Sequence, residues 1–215
     1  MKFGAAVLGT IGLLGLSSVA GAQTPPPRTG FQMDIRTGYA VPLGKVWEGQ
    51  DFSDLTSGHV PFILDIGGKV IPELFLGGYF ALGFGGAGGT FKTECEAEHV
   101  SCSTVDVHLG FEAQYHILPA GAVNPWVGYG LGYESLAMGS SSNGTTNTSS
   151  VSGFEFARFM AGVDFRLTRV FGVGPFVDLS MGSFSKADVG SVTVDIPQTA
   201  THEWLTLGVR FVFFP

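Results

Sequence analysis

The sequence has few charged residues, and it contains no apolar stretch with the length and character of a membrane-spanning helix. Asp, Glu, Lys and Arg make up 13% of the 215 residues, whereas 45% are hydrophobic. The best internal candidate for such a helix, residues 74–89, has seven glycines in sixteen residues. Each glycine costs a helix interior about 1 kcal/mol relative to alanine. We therefore reject a transmembrane helix in this region.

Cysteine is also scarce. The two cysteines, Cys95 and Cys102, lie seven residues apart in a polar stretch. In an exported protein this spacing favours a local loop disulfide. A metal site would need more Cys or His ligands at tight spacing than His99, which lies between the cysteines, can add. We predict a disulfide here and no metal site.

Basic residues are outnumbered: 11 Lys and Arg stand against 18 Asp and Glu, which gives a formal net charge of −7. A chain of this charge is a poor nucleic-acid binder, because affinity for nucleic acid depends on neutralising phosphates. The sequence also contains no motif typical of a cofactor site, so we expect no cofactor.

The first 22 residues have the pattern of a secretory signal peptide. Lys2 supplies a positive start, residues 5–16 an apolar core, and Ala20-Gly21-Ala22 a small-residue cleavage site. Prolines at 25–27 follow. We predict a cleaved signal peptide over residues 1–22, a proline-rich leader over 23–30 and one domain over 31–215, exported through the periplasm.

The rest of the chain alternates between apolar and polar residues, as strands with two different faces do. The clearest example is 105–117, where every odd position is apolar and every even position is polar or glycine. The last run, 203–215, has apolar residues at its odd positions from Leu205 to Phe213. The eight such runs are 31–43, 59–71, 74–84, 105–117, 127–134, 157–168, 173–181 and 203–215.

The connections between these runs alternate long and short, beginning and ending with a long one. This order predicts an up-and-down meander with all long connections at one end. The segment 139–152 is rich in Ser, Thr, Gly and Asn, which predicts an exposed loop.

The polar face carries fourteen ionisable side chains. They are Asp34, Arg36, Asp65, Lys69, Asp106, His108, Glu112, His116, Glu134, Arg158, Asp164, Arg166, Asp178 and Arg210. A soluble core could not desolvate so many charges. The pattern fits a protein turned inside out, with its apolar face in lipid and its polar face inside a closed ring that satisfies the backbone. We predict an all-β fold, an eight-stranded antiparallel up-and-down transmembrane β-barrel.

This architecture resembles the small outer-membrane barrels of Gram-negative bacteria, of the OmpA-barrel, OmpX and OmpW type. Thr206, Gly208, Phe211 and Phe213 resemble the terminal signal of that family, a polar residue, a glycine and two aromatics at fixed spacing. The resemblance implies recognition by the barrel-assembly machinery and insertion into outer-membrane lipid. We expect a monomer.

The interior of an eight-stranded barrel is just wide enough for side chains to fill it. We predict a non-enzymatic structural barrel whose lumen is plugged by paired charges, including a contact between Arg166 and Asp178. One alternative is a narrow cation-preferring pore or small-solute channel of OmpW type, for which the inward Gly128, Gly130 and Gly132 would leave room beside Glu112 and His116. Another is surface adhesion or binding through long acidic loops.

Two weaker signals complete the sequence-based hypotheses. His99-Val100-Ser101 has the look of a lipid-modifying His-x-Ser pair, but a nucleophile needs a fixed base and an orienting carboxylate, so we predict no catalytic site. Tyr39, Trp126, Tyr129 and Trp204 fall near strand ends, where aromatic girdles lie in membrane proteins.

Overall fold

The computed structural model describes residues 29–142, 145–190 and 192–214. The predicted signal peptide, its cleavage site and most of the proline-rich leader lie outside these residues. No helix in the described part of the chain is long and apolar enough to cross a membrane.

The described residues form ten strands, one α-helix and one short 3₁₀ helix. The strands are β1 (Gly30–Trp47), β2 (Gln50–Asp51), β3 (Thr56–Ile71), β4 (Leu74–Ala87), β5 (Ser101–His116), β6 (Val123–Ser142), β7 (Thr145–Arg166), β8 (Phe171–Val189), β9 (Val192–Asp195) and β10 (His202–Phe213). The 3₁₀ helix covers Phe52–Asp54, and the α-helix α1 covers Gly89–Ala97.

Eight of the strands form a closed antiparallel ring. Strands β1, β3, β4, β5, β6, β7, β8 and β10 each pair with their neighbours in the chain, and β10 pairs with β1. The closing ladder runs from Met33↔Phe213 to Gly44↔His202. The predicted eight-stranded up-and-down barrel is therefore confirmed.

The connections at the two ends differ in length as the sequence predicts, except that β6 and β7 stay paired to within two residues of each other. Residues 72–73, 117–122 and 167–170 join strands at one end of the barrel. The connections at the other end hold β2 with the 3₁₀ helix, helix α1 and β9. We call these two ends the turn end and the long-connection end.

The predicted loop 139–152 is instead the upper part of a long hairpin. Strands β6 and β7 stay paired through Ser142↔Thr145. Residues 139–141 and 147–150 are partly or fully exposed, so pairing needs no apolar alternation there. The segment has no proline to interrupt the ladder, and the register is inherited from the barrel strands below it.

The two cysteines are joined, so the predicted disulfide is confirmed. Cys95 lies on α1 and Cys102 on β5, with their Cα atoms 6.2 Å apart. The sequence predicts an irregular connection here, whereas the structure has a helix of nine residues. Its polar composition gives it no apolar stripe from which a helix could be predicted.

The barrel wall has an apolar outer face on all eight ring strands. Leu109 and Phe111 on β5, for example, are 63% and 75% exposed. The inner face holds the buried polar residues. Trp126 and Trp204 lie on the inner face too, 1% and 2% exposed, so their predicted place in an aromatic girdle is wrong. Tyr39 and Tyr129 do face outward.

The seam between β1 and β10 contains a close approach of two backbones. Gly38 lies directly opposite Gly208. A Cβ atom on Gly38 would lie 2.7 Å from the Cα of Gly208, and one on Gly208 would lie 2.8 Å from the Cα of Gly38. Glycine is thus required at Gly208 for ring closure, apart from any part it has in the predicted assembly signal.

We predict that Gly208→Val lowers the folded fraction when the protein is refolded in detergent or lipid without any assembly factor. The cost expected for such overpacking is about 1–3 kcal/mol. The folded fraction is measured by the heat-dependent gel mobility of the barrel. Val209→Ala, on the outward side of the same strand, is the control. Normal refolding of Gly208→Val would mean that the glycine has no steric role.

Candidate functional site

The barrel interior is the candidate functional site, because it contains most of the ionisable side chains of the strands. The described residues place eight carboxylates, four Lys or Arg and four His inside, each at most 7% exposed. They are Asp34, Asp65, Asp106, Glu112, Glu134, Glu155, Asp164 and Asp178, then Arg36, Lys69, Arg158 and Arg210, then His59, His108, His116 and His202.

Arg36 on β1 is at the centre of this interior and is completely buried. Its Nε and Nη2 atoms each donate to one carboxylate oxygen of Asp65, both at 2.7 Å. Nη1 donates to Asp178 at 3.0 Å, and Nη2 also donates to Glu112 at 3.2 Å. These partners come from β3, β8 and β5, so one guanidinium joins opposite walls of the barrel.

Arg158 lies next to this group, on the side of the long-connection end. Its Nε donates to Asp178 at 2.7 Å, and its Nη1 lies 3.7 Å from Glu155. The guanidinium carbon lies 4.6 Å from the ring centre of Tyr79, a distance at which a cation is attracted to the ring face. Asp178 is therefore shared by two arginines.

Arg210 on β10 forms a third group nearer the turn end. Its Nη2 donates to Asp34 and to the amide oxygen of Gln114, both at 2.6 Å. Its Nη1 lies 3.6 Å from Asp164, and its guanidinium carbon lies 4.2 Å from the Trp126 ring centre. Lys69 and Arg166 lie at the turn end itself, each within 5.4 Å of the Phe214 ring centre.

Histidines and carboxylates fill the interior between Arg158 and the long-connection end. The two ring nitrogens of His108 each lie 2.6 Å from a carboxylate oxygen, one on Asp106 and one on Glu155. Glu134 accepts from the Trp204 indole and contacts His202 Nε2, both at 2.8 Å. Asp106, His108 and Glu134 each present one ligand-type atom within 4.8 Å of the other two.

An apolar cluster, which we call the apolar plug, closes the interior at the long-connection end. Its members are Ala40, Val46, Phe52, Leu136, Val151, Phe184 and Trp204. Phe52 comes from the 3₁₀ helix and is 0% exposed. Its ring centre lies 4.7 Å from that of Trp204 and 5.9 Å from that of Phe184. The connection between β1 and β3 thus folds inward over the mouth.

The sequence-predicted residues fall inside with one partial exception. Thirteen of the fourteen are buried, and Arg166 is half-buried. The predicted contact of Arg166 with Asp178 is wrong, because Arg166 lies opposite Gly172 whereas Asp178 lies opposite Met160. The two are six positions apart along the hairpin, about 20 Å. Arg166 donates instead to the carbonyl of Pro119.

Three interior ionisable residues escape the sequence analysis. Glu155 is missed because the ladder shifts between Glu155 and Ala157, so that strict alternation from Arg158 places it on the wrong face. His59 and His202 lie close to the first residues of β3 and β10, where the alternation of apolar and polar residues begins. The signal that could have found them is their phase: His59 lies an even number of residues from Asp65, and His202 an even number from Arg210, so each falls on the inner face.

The room predicted beside the inward glycines is filled by Tyr79. A Cβ atom on Gly110 or on Gly132 would collide with its hydroxyl group. The ring is 1% exposed. Gly110, Gly130 and Gly132 therefore accommodate an aromatic side chain from β4, and Gly128 faces Met160.

The His99–Ser101 pair lies far from this interior. Both side chains are exposed, and in the described part of the chain neither has a hydrogen bond or an ion pair with a side chain. His99 adopts a φ of 56° between α1 and β5. No fixed base or orienting carboxylate is thus built around Ser101 in the described residues.

Comparison with known proteins gives matches in structure and none in sequence. No family model and no curated protein matches the chain. The solved structure of the outer membrane protein AlkL in lipid bilayers superposes with a TM-score of 0.51 at 12% identity, over 93% of this chain and 98% of that one. The fold is that of the small outer-membrane β-barrels. With its apolar outer face, the chain is a transmembrane β-barrel.

Two further solved structures are similar with lower scores. Ail, the attachment invasion locus protein of Yersinia pestis, has a TM-score of 0.44 at 16% identity, covering 86% of this chain and 99% of that one. OprG from Pseudomonas aeruginosa has a TM-score of 0.45 at 12% identity, covering 87% and 98%.

We predict that Arg36→Met destabilises the folded barrel by about 3–5 kcal/mol, because it leaves buried carboxylates without their cation. Arg36→Lys is expected to lose less, since a charge remains but the bidentate contact does not. Urea unfolding in detergent measures both. Lys45→Met is the control: Lys45 pairs with Asp51 on the surface, and its loss should leave unfolding nearly unchanged. An equal effect of the two methionine variants would contradict the central role of Arg36.

Proposed function

We propose that this chain is a non-enzymatic, structural barrel of a bacterial outer membrane, exposed at the cell surface, with a lumen closed by its own charged side chains. The observation that carries the proposal is the position of Arg36. It is completely buried and bonded to carboxylates of three other strands. A guanidinium held in this way occupies the middle of the lumen.

The apolar plug supports the same function. An ion that entered at the long-connection end would first have to pass Phe52, Phe184 and Trp204, which pack against one another. It would then meet Arg158 and Arg36 in turn. Neither an apolar constriction nor a fixed guanidinium favours the passage of cations.

A narrow cation-preferring pore is the second candidate, and one observation favours it. Eight buried carboxylates stand against four buried Lys and Arg in the described residues. An interior with this imbalance attracts cations if water reaches it. The pore would need both the apolar plug and the arginine contacts to open.

Surface binding through the long connections is a third candidate. Their exposed acidic side chains outnumber their lysines, and two of the three lysines are already paired. Lys45 contacts Asp51 at 2.7 Å, and Lys92 lies 3.8 Å from Glu96. An acidic rim of this kind favours cationic ligands and repels polyanions.

Delivery to the membrane follows the route that the sequence implies. The signal peptide over residues 1–22 directs export, and the barrel-assembly machinery recognises Thr206, Gly208, Phe211 and Phe213. Phe211 and Phe213 face outward at the seam between β10 and β1, so both are accessible from the lipid side. The barrel inserts as a monomer.

Single-channel recording in a planar bilayer tests the proposal. The mature protein, refolded and shown to be folded by its gel mobility, should give no discrete conductance steps. Co-flotation with the lipid, followed by resistance of the barrel to protease, controls for insertion. Discrete cation-selective steps from the inserted wild type would overturn the closed lumen in favour of the pore.

A further inference from the structure

Six ionisable side chains meet just below the apolar plug, and we call them the histidine–carboxylate cluster. They are His59, Asp106, His108, Glu134, Glu155 and His202, from strands β3, β5, β6, β7 and β10. Every member is at most 5% exposed. Imidazole nitrogens and carboxylate oxygens are brought together here from five strands, in a region of low dielectric.

The cluster leaves several polar atoms without a hydrogen bond. They include Nδ1 of His59, Oδ1 of Asp106, Oε1 of Glu155 and Nδ1 of His202. The His59 side chain is 95% buried, and its Nδ1 atom points toward Asp106 Oδ2 at 3.8 Å. Buried polar atoms are almost always satisfied in proteins. A partner bound between this imidazole and this carboxylate would satisfy both groups.

The buried carboxylates of the cluster also need a positively charged partner. Three carboxylates are buried together, and the one nearby guanidinium, Arg158, lies 3.7 Å from Glu155 while it donates to Asp178. Buried charges are stable in proteins when they are paired or when they coordinate a metal ion. The arginine does not reach Asp106 or Glu134 in the described contacts. Asp106 has only histidines as nearby cations, and Glu134 has His202 together with the neutral Trp204 indole.

We propose that the histidine–carboxylate cluster binds one divalent first-row transition metal ion, with Zn²⁺ as its representative. Asp106, His108 and Glu134 are the first ligands, since one ligand atom of each lies within 4.8 Å of the others. His202 contacts Glu134 at 2.8 Å, and it supplies a fourth ligand from the opposite wall. His59 lies next to Asp106.

The donor set selects the class of metal. Mixed imidazole and carboxylate ligands suit Zn²⁺ and its neighbours in the first row, whereas Ca²⁺ and Mg²⁺ prefer oxygen ligands throughout. Zinc bonds of about 2.0–2.2 Å place tetrahedral ligands closer together than 4.8 Å, so the side chains must draw in by roughly an ångström. Trp204 already orients Glu134 through its indole N–H, as outer partners do in metal sites.

The site is assembled with the barrel, because the apolar plug covers it. Metal uptake is therefore measured after refolding in the presence of ZnCl₂, with excess metal removed by gel filtration. Metal content is read by mass spectrometry. We expect about one Zn²⁺ per folded chain and no retention of Ca²⁺ supplied at the same concentration. Refolding with Co²⁺ should give the visible absorption bands of cobalt with nitrogen and oxygen ligands.

Two variants and a matched control locate the site. Asp106→Asn and Glu134→Gln keep the size of each side chain and should lower the affinity at least about tenfold. Asp164→Asn removes a carboxylate that is equally buried but lies in the Arg210 group, and it should bind Zn²⁺ as the wild type does.

The proposal is overturned if the folded wild type retains no stoichiometric Zn²⁺, if Ca²⁺ is retained equally, or if the Asp106 and Glu134 variants bind like the wild type. The cobalt spectrum of the wild type tests for mixed nitrogen and oxygen ligands without any variant, so a failure of either variant to fold does not prevent the test. A cobalt spectrum with oxygen ligands only would also overturn it.

Discussion

Strands β1 and β10 exchange backbone hydrogen bonds along a ladder of twelve residue pairs, and this ladder leaves the eight-stranded ring without an edge. In lipid, an unpaired backbone group costs several kcal/mol, so closure is the condition for every other feature. Closure also fixes which face of each strand is inside. The alternation of the sequence then places large apolar side chains outward and ionisable ones inward. Where the first and last strands meet, Gly38 and Gly208 allow the two backbones to approach closely.

A ring of eight strands encloses too little space for water to solvate sixteen ionisable groups, so these must satisfy one another. Arginine suits this task because its planar guanidinium donates in several directions at once. Arg36, Arg158 and Arg210 each bridge carboxylates from different strands, and each also lies over an aromatic ring. An exposed pair such as Lys45 with Asp51 contributes little by comparison, because water screens it.

The sequence predicts the fold and most of the interior, because period-two alternation is a local property that can be read strand by strand. It fails where the answer depends on neighbours. Glu155 is hidden by a register shift, Trp126 and Trp204 turn inward to cover buried groups, and Arg166 is separated from Asp178 by a register that no single strand specifies. The metal ligands proposed in the interior likewise come together only when β5, β6 and β10 are held in the closed ring.

The hairpin of β6 and β7 continues its pairing past the apolar belt to Ser142 and Thr145. Its outer part has no apolar pattern of its own, and a strand of that composition would slip in isolation. The paired barrel strands below it fix its register. Changes in length beyond its paired residues therefore leave the barrel strands in phase, so this hairpin can accept an inserted peptide without disturbing the barrel.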